Sequence, residues 1–132
     1  MTNNQTIVLV IGLPGSGKTT YLDNLKAEHP EVMVIDDIVS LDQLPESFSG
    51  TLYLSSPQLC LAWRFATSIL QEKYPGATID HLYFENDPET CIARVKARHA
   101  AGDNRVISEK FILNISNKYV IPADAKIIRL SP

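Results

Sequence analysis

Gly12-Leu13-Pro14-Gly15-Ser16-Gly17-Lys18-Thr19 fits the phosphate-binding pattern G-x-x-x-x-G-K-[ST]. Immediately before it, Ile7-Val8-Leu9-Val10-Ile11 is an uncharged aliphatic run of the kind found in a strand buried on both faces. Immediately after it, Thr19 to Glu28 carries Tyr21, Leu22 and Leu25 at helical spacing, with no breaker before Pro30. A glycine-rich turn that matched the pattern by chance would not carry both flanks. Strand, turn and helix in this order are the context the pattern requires. They set the expectation of a nucleoside triphosphate site spanning Gly12 to Thr20, with Thr20 as its last residue.

The residue types suit that chemistry. Glycines let successive backbone N–H groups curl around phosphate oxygens, and the helix N-terminus behind them adds unpaired donors and partial positive charge. Lys18 is expected to reach the β- and γ-phosphates, and the Thr19 hydroxyl to ligate Mg²⁺. The cofactors expected are therefore ATP and Mg²⁺.

Around this centre the chain alternates. Short apolar strands are expected at Val32–Ile35, Thr51–Leu54, Thr78–Glu85 and Lys126–Leu130. Between them lie helices over about 57–74, with Ser56 as N-cap and Pro57 in its first turn, and over about 88–100, with Asp87 as N-cap. A further helix is expected over about 108–119, and residues 38–50 read as loop with one helical turn at Ser40–Leu44. Strands alternating with helices imply parallel pairing through right-handed crossovers. The expected architecture is a three-layer α/β P-loop fold of about five parallel strands covered on both faces. The phosphate loop then sits beyond the carboxyl ends of the strands.

Whole-chain properties narrow the class. With 132 residues, one domain is expected, 1–132. No apolar run approaches the ~20 residues of a membrane span, and Met1-Thr2-Asn3-Asn4-Gln5 is no signal peptide, so a cytoplasmic protein with no membrane partner is expected. Cys60 and Cys91 have neither metal-ligand nor redox spacing and read as buried reduced thiols. Charge is uneven. Residues 1–89 carry 4 Lys/Arg against 12 Asp/Glu, a net of −8, and residues 90–132 carry 8 against 3, a net of +5. The basic C-terminal third suits phosphates, whereas the overall acidity argues against non-specific coating of DNA.

Two groups of side chains complete the candidate site. Asp36 and Asp37 follow a strand on the same sheet edge as the phosphate loop, where one carboxylate can accept a proton from an attacking hydroxyl or hold Mg²⁺ through water. Arg94 and Arg98, four apart on a helix, share a face, and Arg105 follows in a polar break. These three guanidiniums form the expected lid, over about 94–108, that closes on the triphosphate and neutralises the transferring phosphoryl group. The third strand ends in Ser55-Ser56 without a carboxylate, which weakens a motor-type ATPase reading more than a kinase reading.

Together these stretches resemble the P-loop kinases related to the kinase domain of bacteriophage polynucleotide kinase. The resemblance rests on Gly12–Thr20, on Asp36-Asp37 and on Cys91-Ile92-Ala93-Arg94-Val95-Lys96-Ala97-Arg98, which is similar to the family's R-x-x-x-R lid helix. The tail with Tyr119 and Pro122 is similar to the family's Y-x-x-P ending. It implies that Asp36 is the general base and that Arg98 contacts the triphosphate. It also implies transfer of the ATP γ-phosphate to a hydroxyl of a nucleic acid or nucleotide, including a hydroxymethylated pyrimidine in phage DNA. Two positions depart from the family. Ile38-Val39-Ser40 lacks the arginine that seats the acceptor phosphate, and Ser55-Ser56 replaces Ser-Asp. Two other readings stand beside this one: a kinase of a free nucleoside, nucleotide or other small metabolite, and a nucleotide-dependent regulatory NTPase.

Overall fold

The aliphatic run at the start of the chain forms the middle of the sheet because its side chains find apolar cover on both sides. In the computed structural model, which describes residues 5–102 and 107–130, strand β1 (Gln5–Ile11) lies between β3 (Gly50–Ser55) and β4 (Thr78–Phe84). The edges are β2 (Met33–Ile35), paired with β3, and β5 (Ile127–Ile128), paired with β4. All pairings are parallel, in the order β2-β3-β1-β4-β5.

Alternation along β1 sorts the core into two layers. Val8 and Val10 pack with Leu22 and Phe84, the first of these from helix α1 (Lys18–Glu28). Ile7, Leu9 and Ile11 face the opposite side. There they meet residues of α2 (Leu59–Lys73), α3 (Pro88–Ala100) and α4 (Glu109–Lys118), among them Leu70, Cys91, Ile112 and Ile115. Each such fully buried aliphatic side chain contributes about 1.5–3 kcal/mol of burial. Among the described residues no helix is long and apolar enough to cross a membrane.

Several local expectations hold in detail. Asp87 accepts from the Thr90 N–H at 3.1 Å and opens α3 with Pro88 behind it, and Ser108 accepts from the Phe111 N–H at 3.0 Å and opens α4. The turn at Leu41–Gln43 is a 3-10 helix closed by a reciprocal capping box between Ser40 and Gln43. Three details differ. β2 is a half-buried edge strand, with Met33 exposed, rather than a buried one, because its outer side has no neighbour in the sheet. β5 is reduced to two residues. α2 begins regularly only at Leu59, after a turn in which Ser56 Oγ accepts from the Gln58 N–H at 3.2 Å. It then breaks helical geometry at Ala62 (φ −133°, ψ 21°).

Candidate active site

The loop between β1 and α1 is held by close approach on two sides. A Cβ on Gly12 would lie 2.8 Å from Cβ of Phe84. A Cβ on Gly15, where φ is +86°, would lie 2.7 Å from the Cys91 carbonyl oxygen. Only glycine lets the loop press against both β4 and α3. Lys18 returns into it, donating to the carbonyls of Gly12 (2.8 Å) and Leu13 (2.9 Å). An ammonium has three donors, so one remains to point out of the loop. Burial holds the Lys18 pKa below its ordinary value, opposed by the nearby Asp37 and Asp36 carboxylates.

The start of α1 differs from those of α3 and α4. Asp87 and Ser108 supply side-chain oxygens to α3 and α4, whereas Gly17 supplies none to α1 and its first turn holds no acid. The first-turn donors and the dipole of α1 are left facing outward beside Lys18. Within the same loop the Ser16 hydroxyl is buried and, among the described residues, has no hydrogen-bond partner. These are the groups a polyphosphate would satisfy.

Beside them stands a carboxylate fixed from two directions. Thr19 Oγ1 donates to Asp36 Oδ2 at 2.6 Å, and Ser55 Oγ donates to Asp36 Oδ1. The same Ser55 hydroxyl accepts from the Asp37 N–H at 3.1 Å. Asp37 occupies the left-handed region (φ +55°), which Asp tolerates better than most residues, and its side chain lies exposed at the cavity. The oxygens of Thr19 and Asp36 suit a hard divalent cation such as Mg²⁺. No group of three or more His, Cys, Asp and Glu side chains among the described residues forms a cage, so phosphate oxygens would complete any such site.

These elements surround a cavity of about 620 Å³ lined by Gly15, Gly17, Lys18, Thr19 and Thr20 on one side and Asp37, Ser56 and Arg98 on others. Arg98 is thus brought to the cavity. Arg94 takes a different place: its guanidinium reaches the Gly15 (3.4 Å) and Ser16 (3.2 Å) carbonyls and ties α3 to the phosphate loop. Arg105 lies outside the described residues. Leu13 and Pro14 are buried, and Pro14 reaches the cavity wall. Cys60 and Cys91 are free and buried, and burial pushes their thiols up to about 12 and about 11.

Two residues that were given no site role in the sequence join the site. Ser55 orients both aspartates, and Arg129, beyond β5, lines a second cavity of about 610 Å³ with Tyr21, Asn24, Arg94 and Arg98. That cavity adjoins the first through Gly15, Gly17, Thr20 and Arg98.

Comparison with known proteins places this geometry. The chain matches no protein-family profile. It is 29% identical over 123 residues to an uncharacterized protein of Acanthamoeba polyphaga mimivirus, across 88% of this chain and 84% of that one. Among solved structures it is similar to a gluconokinase from Sinorhizobium meliloti 1021, with TM-score 0.63 and 14% identity, covering 100% of this chain and 86% of that one. It is also similar to a fungal RNA kinase, with TM-score 0.62 and 18% identity, covering 100% of this chain and 78% of that one. At such identities the likeness speaks for the fold. The parallel sheet, its strand order and these neighbours give the chain the α/β fold of the P-loop kinases.

Proposed function

We propose that the chain is an Mg²⁺-dependent kinase that transfers the γ-phosphate of ATP to an alcohol group of a nucleoside, nucleotide or nucleic acid acceptor. The observation that carries this reading is Asp36, held between Thr19 and Ser55 at the mouth of the phosphate loop. Each carboxylate oxygen has two lone pairs and accepts from one hydroxyl, so each has room for one more donor, and the acceptor alcohol can be one of these. A switch NTPase also sets a carboxylate beside the loop threonine for Mg²⁺, so phosphorylation of an acceptor is what separates the two readings. The loop N–H groups, Lys18 and Arg98 hold the phosphates, and Arg94 holds the loop. Mg²⁺ on Thr19 and the triphosphate would neutralise developing charge. The resemblance to phage polynucleotide kinases and the kinase fold support the acceptor class, and hydroxymethylated pyrimidine DNA belongs in the acceptor panel.

Transfer of labelled γ-phosphate to 5′-hydroxyl oligonucleotides, DNA containing 5-hydroxymethyluracil and free nucleosides tests the proposal. Asp36→Asn should lower transfer by about 100-fold or more while ATP affinity stays within about twofold. Full activity in Asp36→Asn, or ATP binding with no labelled acceptor, would overturn it.

A further inference from the structure

Next to the phosphate cavity lies a second pocket of different character, of about 350 Å³, within the range of small-molecule sites. The two share Ile38, Val39, Ser56 and Gln58, so they open into each other just past the Asp36–Asp37 turn. The deeper walls are apolar, built from Leu44 of the 38–50 loop and Leu59, Ala62 and Ile69 of α2. Among the described residues its lining includes no Lys, Arg, His, Asp or Glu. Apolar side chains also stand open at its mouth: Val39 is 89% exposed, Leu41 55% and Phe65 68%.

We infer that this pocket is the acceptor subsite and that it takes the body of a neutral nucleoside rather than an anionic acceptor group. The inference rests on the kinase reading above and names its substrate class. Charge decides the class. A phosphate or carboxylate in this pocket would lose hydration against apolar walls with no cation among the described lining residues to pair it, and would approach the Asp37 carboxylate of the adjoining cavity. Recognition of such a group calls for a guanidinium, and Ile38-Val39-Ser40 provides none at this turn. A nucleobase has the opposite requirements. Its faces are apolar and stack on aromatic rings, which Phe65 offers at the mouth. Its edge needs both donors and acceptors, which the Gln58 amide offers in one group. With the base there, the sugar hydroxyl lies toward the opening, on the side of Asp37 and Thr19.

The positively lined cavity with Arg94, Arg98 and Arg129 falls on the other side of the phosphate loop and is left for the donor nucleotide. The site therefore separates a cationic donor side from an uncharged acceptor side.

The test uses the full chain with Mg²⁺ and a non-hydrolysable ATP analogue. Thymidine, thymidine 3′-monophosphate and gluconate are titrated by calorimetry, and the same acceptors are then assayed for labelled transfer from ATP. Thymidine should bind and be phosphorylated with kcat/KM at least about tenfold above gluconate, and the 3′-phosphate should bring no gain. Phe65→Ala, an exposed change that spares the core, should weaken thymidine binding about tenfold with ATP affinity within about twofold. Val39→Arg, also exposed, should raise use of the 3′-monophosphate relative to thymidine by about tenfold.

A requirement for the 3′-phosphate, a preference for gluconate, or thymidine binding indifferent to both substitutions would overturn the inference. So would self-association of the chain that Phe65→Ala abolishes in the absence of thymidine binding, which would assign the pocket to a second copy. Thymidine bound without transfer would uphold the subsite and sink the kinase reading. Transfer to an anionic acceptor alone would do the reverse.

Discussion

Ser55 is fully buried at the end of β3 and has a single hydroxyl, yet it meets both aspartates. It donates to the Asp36 carboxylate and accepts from the Asp37 backbone, so the turn that delivers the carboxylates is fixed in both rotation and height. Such supporting hydrogen bonds act through the group they orient, typically at a cost of about 10–100-fold when removed. Ser55→Ala should therefore lower kcat for transfer by about that factor while ATP affinity moves less than twofold, and Ser55→Thr should recover part of the loss. Equal losses of ATP affinity and kcat would make Ser55 a merely structural residue. The reason this role of Ser55 was not legible in the sequence is register. Ile35 pairs with Leu54 across β2 and β3, which sets Asp36 beside Ser55 although they are 19 residues apart. The phosphate loop, in contrast, was legible because its contacts are made by neighbours in the chain at fixed spacing. Arg94 shows the limit of helical spacing: two arginines on one face reach different targets, one the loop carbonyls and one the cavity.

At the scale of elements, α4 secures the platform on which the loop stands. Tyr119, just past its last turn, is buried and donates to the carbonyls of Phe84 (2.7 Å) and Ile11 (3.3 Å), the C-terminal residues of β4 and β1. Those strand ends are where the loop begins at Gly12 and where Phe84 limits its room. Tyr119→Phe leaves the ring in place and the two carbonyls without this donor. It should cost about 1–2 kcal/mol of stability, read as a lower urea midpoint with an unchanged m-value. ATP affinity should fall in the same variant, since the loop loses its footing. Stability unchanged within about 0.3 kcal/mol would refute the pinning role. The sequence offered Tyr119 only as part of the Y-x-x-P tail, because a phenol's partner across more than a hundred residues is a property of the fold. The elements themselves were mostly legible: apolar runs, Asp87-Pro88 and Ser108 each act within a few residues of the chain. β2 misled because a short aliphatic run looks the same at the edge of a sheet as at its centre.

At the scale of the whole molecule, the sheet order converts a charge gradient along the chain into a charge difference across the site. The acidic first two thirds, net −8, supply the Asp36–Asp37 turn, and the basic remainder, net +5, supplies Arg94, Arg98 and Arg129. Because β1 lies between β3 and β4, the phosphate loop falls on the boundary between these regions. A tetra-anionic nucleotide bound to the basic side and a neutral acceptor on the acidic side should respond differently to salt, since screening acts on charge alone. Raising KCl from 50 to 500 mM should weaken ATP binding several-fold, while the KM of a nucleoside acceptor changes by less than about twofold. A single-stranded oligonucleotide that depended on backbone contacts would behave otherwise, with affinity falling steeply and log-linearly as salt rises. A steep salt slope for the acceptor would mean that phosphates outside the apolar pocket carry its binding, and the neutral-acceptor assignment would then fail. A flat acceptor slope beside a falling ATP affinity is the pattern expected of a site with one charged and one uncharged half.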